Sequence, residues 1–127
     1  MLCSQPAYAI EDNDLKITAD VYLSYDYQYK RIMYAKNIDK NIAPASLSKL
    51  MTALLLYENY PLNHEFITSY PPNYVYSGKV AYIPEGVRVT TEELLELLLV
   101  YSANDAAYIV ANSVFSSYEN FIIEMNN

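Results

Sequence analysis

The stretch Thr91 to Val100, TEELLELLLV, is nearly all leucine after its first turn. A helix with that composition has to be buried on most sides, so other elements must surround it. Its start is written in the residues around Thr90. With Thr90 as cap, Glu93 falls at the third helical position, the capping-box spacing, and Glu92 and Glu93 both favour the positive end of the helix. A helix over Ser46 to about Tyr60 precedes it, entered after Pro44 and stopped by Pro61. Its residues Leu47, Leu50, Met51, Leu54 and Leu55 are spaced to form one apolar face. An Ala-rich helix from about Asn104 to Val114 and a helix from near Tyr118 to the chain end follow. Leu94 to Val100 is too short for a membrane span, and no run reaches the roughly 18 apolar residues that one needs.

Ahead of these helices, Leu15 to Tyr25 and Arg31 to Ala35 are β-branched and aromatic around a polar turn, which predicts a two-stranded antiparallel hairpin. Residues 61–90 hold Pro61, Pro71, Pro72, Pro84, Gly78 and Gly86, so this region is expected to be loop-rich, with strand-like pieces at Phe66 to Thr68 and Val80 to Ile83. The fifteen tyrosines read as strand and surface filler. A chain of 127 residues, 53% hydrophobic and 18% charged, fits one domain with a real core. Its net charge of −7 carries no cluster of Lys and Arg, which argues against nucleic acid and anionic membrane surfaces as partners. One cysteine, Cys3, and one histidine, His64, leave no basis for a metal centre, and no cofactor is expected. In residues 1–9, Ala7-Tyr8-Ala9 has the small-x-small pattern cut by signal peptidase; the segment reads equally as an export-signal end or as an ordinary N-terminus.

Two pairs carry possible chemistry. On a helix, Ser46 and Lys49 share a face, and a lysine whose pKa is lowered by burial can take a proton from the serine. By spacing alone, Ser46 could equally cap the helix and Lys49 be a solvated charge. Further on, Ser102-Ala103-Asn104 lies in the turn between two apolar helices, where Ser102 or Asn104 could also simply start the next helix. A Ser-x-x-Lys followed by a Ser-x-Asn in such a loop is the order found in serine acyl-transfer enzymes that penicillin inhibits.

The chain resembles the low-molecular-mass penicillin-binding proteins that are D-alanyl-D-alanine carboxypeptidases. The likeness rests on Tyr34-Ala35-Lys36-Asn37, on Pro44 to Leu55, on Pro84-Glu85-Gly86 with Val89-Thr90, on Ser102 to Ala107, and on Phe121 with Met125-Asn126. It implies an α/β (α+β) fold of the β-lactamase/transpeptidase type over residues 10–127, represented by its N-terminal portion. It implies Ser46 as nucleophile on a peptidoglycan stem peptide or a β-lactam, Lys49 as its base, and Ser102 as proton relay to the leaving amine. Asn104 would bind the substrate amide, and the Ser46 N–H at a helix start would be one oxyanion donor. It also implies an exported protein, periplasmic or on the outer face of the cytoplasmic membrane.

The family's third motif, Lys-Thr-Gly, does not occur in these 127 residues. The family's glycines stand as Ala103 and, in the first hairpin turn, as Lys30. The expectation is a carboxypeptidase fragment with an open sheet edge, prone to pair with a complementing C-terminal chain. Losing one oxyanion donor costs about a hundred- to a thousand-fold in rate, so the isolated chain is expected to have little activity. A class A β-lactamase-like fragment and a non-catalytic remnant that binds cell-wall peptide are the alternatives.

Overall fold

The computed structural model describes residues 16–127, so the expected export-signal end at residues 1–9 lies outside the described residues. The chain divides into two compact units, Met1–Ala43 and Pro44–Asn127. In the first, β1 (Tyr22–Asp26) pairs antiparallel with β2 (Arg31–Lys36), which gives the expected hairpin with a shorter first strand, since residues 16–21 are not strand. Tyr22 lies opposite Lys36 and Asp26 opposite Arg31, with a bulge between Ser24 and Tyr25. Lys30, where the resemblance implies glycine, takes a left-handed backbone with φ 52°. That conformation costs a non-glycine residue roughly 1 kcal/mol, and the Lys30 ammonium 3.5 Å above the Tyr27 ring offsets part of it.

The second unit is mixed, with helices around one core and a small sheet. A 3-10 turn (Ala45–Leu47) leads into α1 (Ser48–Asn59), which ends where Tyr60 turns extended ahead of Pro61. β3 (Glu65–Ile67) and β4 (Arg88–Thr90) pair antiparallel, Phe66 opposite Val89. α2 (Thr91–Glu96) starts at the expected capping box. The Glu93 N–H donates to Thr90 Oγ1 at 3.2 Å, and the Thr90 N–H donates to Glu93 Oε2 at 2.7 Å. A π-helical turn (Leu97–Tyr101) extends α2, another (Val110–Val114) extends α3 (Asn104–Ile109), and α4 (Tyr118–Asn126) is capped by Ser117. Each extended helix therefore covers the span that the sequence predicts. Among the described residues, no helix is long and apolar enough to cross a membrane.

The core gathers Leu56, Leu94, Leu98, Ile109, Val110 and Phe121. Full burial of side chains of this size contributes about 1.5–3 kcal/mol each. Two expectations about faces are corrected. Of the expected apolar face, Leu47, Leu50, Met51 and Leu54 are exposed and only Leu55 packs against the core, while Lys49, Thr52, Ala53 and Leu56 are the residues that turn inward. The inner side is thus the less apolar one, and it carries the small Thr52 and Ala53 beside Leu56. The α2 leucines are likewise one-sided: Leu94 and Leu98 are buried, whereas Leu99 and Val100 are exposed.

The segment 68–87 is loop, as expected, but two readings within it are corrected. Val80 to Ile83 forms no strand. It is an arch pinned by Asp105, whose fully buried carboxylate accepts the N–H of Ala81 at 3.0 Å and of Ile83 at 3.1 Å. The tyrosines there are not filler. Tyr70 stacks on Tyr74 with centroids 4.5 Å apart, and Tyr76 meets both edge-on. The hydroxyls of Tyr70 and Tyr76 both donate to the Ile83 carbonyl, at 2.7 and 3.1 Å. Burial pushes the Tyr74 hydroxyl up to about 12, with the Asp105 charge adding to it. Burial, helped by Tyr76, drives Tyr70 upward as well.

Two outcomes follow from this packing. Leu54→Glu is expected to change the unfolding free energy by less than about 0.5 kcal/mol, while Leu56→Ala costs about 3 kcal/mol, both read by urea denaturation. Tyr74 binds its proton more tightly folded than unfolded, where a tyrosine titrates near 10. Its contribution is therefore complete below about pH 10 and is lost as pH rises through about 12. Absorbance at 295 nm is expected to show late-ionising tyrosines whose titration coincides with alkaline unfolding, and the late phase is expected to shrink in Tyr74→Phe.

Candidate functional site

Ser46 sits inside the 3-10 turn that precedes α1, not at a capping position. The turn follows Pro44, no side chain caps it, and its first internal bond runs from the Leu47 N–H to the Pro44 carbonyl at 3.0 Å. The Ser46 N–H lies ahead of that bond, in the stretch of a helix start where N–H groups have no internal carbonyl to meet. Ala45 just before it takes a left-handed backbone with φ 48°, and Ser48 Oγ donates to the Ala45 carbonyl at 2.9 Å, bracing the bend. One turn on, Lys49 is only 8% exposed. It makes no hydrogen bond or ion pair among the described residues. The reading of Ser46 as a helix cap and Lys49 as a solvated charge therefore fails on both halves.

The Ser102 turn arises from the end of the π-helical turn after α2. Ser102 is left-handed, with φ 63°, and its N–H and that of Ala103 both return to the Leu97 carbonyl. Glycine usually takes such a position after a helix. Ala103, where the resemblance implies glycine, is ordinary extended backbone with φ −68° and is fully buried, so the alanine there costs no backbone strain. Neither Ser102 nor Asn104 caps α3 through its side chain.

Ser46, Lys49 and Ser102, far apart in the chain, line one cleft of about 400 Å³ with Leu50, Leu98 and Leu99 around them. No hydrogen bond joins the three side chains, an open arrangement of the kind that tightens only when a substrate is held. Ala45 and Ser102, both left-handed without being glycine, border the same cleft. Strain of this type costs about 1–3 kcal/mol per residue and collects where a site needs a fixed, unusual geometry.

Asn104 is not among the residues lining that cleft. Its side-chain amide donates to the Ser77 carbonyl at 2.8 Å, and its backbone N–H donates to the Lys79 carbonyl at 2.7 Å. Gly78 makes this fit possible: it has φ 69°, and a Cβ there would stand 2.6 Å from Asn104 Nδ2. Sequence reasoning missed the part played by Asp105. An acidic residue in the first turn of a helix reads as complementing the helix dipole, and nothing in its spacing shows that it reaches Ala81 and Ile83. Among the described residues, no three His, Cys, Asp or Glu side chains group to hold a metal ion.

A family model described as D-alanyl-D-alanine carboxypeptidase matches residues 7–127. The D-alanyl-D-alanine carboxypeptidase DacF of Bacillus subtilis is 30% identical over 101 residues, which are 76% of this chain and 26% of that protein. A D-alanyl-D-alanine endopeptidase of Haemophilus influenzae is 31% identical over 110 residues, 85% of this chain and 37% of that protein. The crystal structure of the D-alanyl-D-alanine carboxypeptidase DacD from Francisella tularensis superposes with a TM-score of 0.77 at 26% identity, over 97% of this chain and 31% of that one. Penicillin-binding protein D2 from Listeria monocytogenes, in its ampicillin-bound form, gives 0.72 at 27% identity, over 90% and 46%. The chain thus spans between about a quarter and under half of the length of these proteins.

Proposed function

The chain belongs to the D-alanyl-D-alanine carboxypeptidase family, and from that footing we propose that its cleft carries the acyl-transfer step of that chemistry. Ser46 Oγ attacks the carbonyl carbon of the penultimate D-alanine of a peptidoglycan stem peptide. Its proton passes to Lys49 and, through Ser102, to the nitrogen of the terminal D-alanine. The C–N bond breaks, the terminal D-alanine leaves, and an ester joins the acyl group to Ser46 until water hydrolyses it. Asn104, two residues after Ser102, lies outside the cleft lining with its NH2 held by the Ser77 carbonyl, so it reaches the substrate amide through its free Oδ1 only when a bound peptide extends past Ser102. The Ser46 N–H donates to the developing oxyanion.

The single observation that carries this reading is the cleft itself, which brings a buried, unpaired lysine and two serines to one wall. The family membership argues for this reading over the class A β-lactamase alternative, and a β-lactam is then a substrate mimic that acylates Ser46. The exposed apolar side of α1 fits the idea that a complementing polypeptide, carrying a Lys-Thr-Gly strand, covers it. Export to the periplasm or the outer face of the cytoplasmic membrane follows from where the proposed substrate lies.

Intact mass measurement after incubation with benzylpenicillin tests the proposal. A single adduct is expected on the native chain and none on Ser46→Ala, with adduct formation at least a hundredfold slower on Lys49→Ala, within the range that general base catalysis supplies. An adduct retained by Ser46→Ala, or none on a native chain shown to be folded by circular dichroism, would contradict it.

A further inference from the structure

The arch from Ala81 to Ile83 holds a ring that the fold does not use. Tyr82 has a left-handed backbone with φ 57° and is 70% exposed. Glycine supplies that conformation without strain, and the chain places glycine at 78 and 86, where φ is also positive. A tyrosine at 82 recovers little burial in return, yet its surroundings over-determine its position. Asp105 takes the N–H groups on both sides of it, and the Tyr70 and Tyr76 hydroxyls hold the carbonyl that follows. A bulky residue kept in a strained conformation by its neighbours and turned to solvent is the mark of a ligand contact.

The neighbouring ring says what kind of ligand. Tyr76 lies 5.4 Å from Tyr82, with the planes inclined by 50°. It is fixed edge-on against Tyr70 and Tyr74, and Tyr82 leans on it from a backbone that Asp105 pins on both sides, which limits the ordering entropy lost on binding. The Tyr82 hydroxyl has no partner among the described residues, and the side chain is largely exposed. A shelf with apolar faces and a hydroxyl edge matches a pyranose, whose C–H face is apolar and whose rim is hydroxylated.

We propose that Tyr76 and Tyr82 form a sugar-binding shelf for the glycan strand of peptidoglycan. Naming that polymer rests on the function proposed above. The placement agrees with it, because the carbonyls of Ser77 and Lys79, on the same loop, hold Asn104 beside Ser102. The loop that carries the shelf is thus tied to the residue two positions after Ser102, the residue that borders the cleft.

The test compares the native chain with Tyr82→Gly, using a hexamer of N-acetylglucosamine as the probe in calorimetric titration, and benzylpenicillin for Ser46. Glycine relieves the strain, so Tyr82→Gly is expected to melt at the same temperature as the native chain or higher, to bind the hexamer about tenfold more weakly, and to form the Ser46 adduct unchanged. A melting temperature lower by more than the few degrees that glycine's added unfolded-state entropy costs would mean that the ring is structural and would overturn the proposal. Equal hexamer binding by the two chains, or none by the native chain, would overturn it as well. So would loss of affinity for a free D-alanyl-D-alanine peptide with hexamer binding intact, which would make the occupant the stem peptide. Weakened hexamer binding in Tyr82→Gly with no penicillin adduct on either chain would leave the shelf standing and refute the acyl-transfer reading alone.

Discussion

The buried carboxylate of Asp105 is the interaction on which the second unit depends. A fully buried carboxylate with no counter-ion is costly unless N–H donors replace water around it. Here the Ala81 and Ile83 amides do so, joined by the Ala106 N–H at 3.2 Å. Everything nearby follows from that bond set. The arch cannot become a strand because its inner N–H groups are already spent. The loop it closes brings the Ser77 and Lys79 carbonyls to Asn104. The tyrosines that pack over the arch feel both the burial and the negative charge, which is why Tyr70 and Tyr74 resist ionisation.

What was legible in the sequence is the part governed by local chemistry. The Thr90–Glu93 capping box, the stop at Pro61, the hairpin and the helical spans all rest on residues within a few positions of one another, and the structure has them where their spacing puts them. What was not legible depends on partners far along the chain. The pattern of α1 shows an apolar face at Leu50, Met51 and Leu54, yet the side that meets the core is the less apolar one of Lys49, Thr52, Ala53 and Leu56, a choice set by the partner and not by the pattern. Leu99 and Val100 are as hydrophobic as Leu98, and only their direction on the helix leaves them outside. Val80 to Ile83 has strand-forming residues, and a carboxylate more than twenty positions away takes the N–H groups that a strand would use.

The candidate site divides in the same way. The spacing of Ser46 and Lys49 and the order of the two serine motifs are sequence facts, and the family resemblance supplied their roles. The backbone strain is not readable. Nothing in the letters says that Ala45, Tyr82 and Ser102 take left-handed conformations, since each is a residue that ordinarily avoids them. Two of the three border the cleft and the third tops the arch held by Asp105. Lys30, Asn37, Asn73 and Ser116 are left-handed as well and none of them lines the cleft, so the strain is spread over the turns and touches the cleft at Ala45 and Ser102, while Ala103 is conformationally neutral.

Native-state hydrogen exchange at the Ala81 and Ile83 amides tests this account most directly. If Asp105 holds the arch as described, both amides exchange as slowly as those in the core of α3, through global unfolding only, and Asp105→Ala brings them to the rate of an open loop. Fast exchange of both in the native chain would contradict the account, because the arch would then open on its own and Asp105 could not be what fixes the loop and the turn beside it.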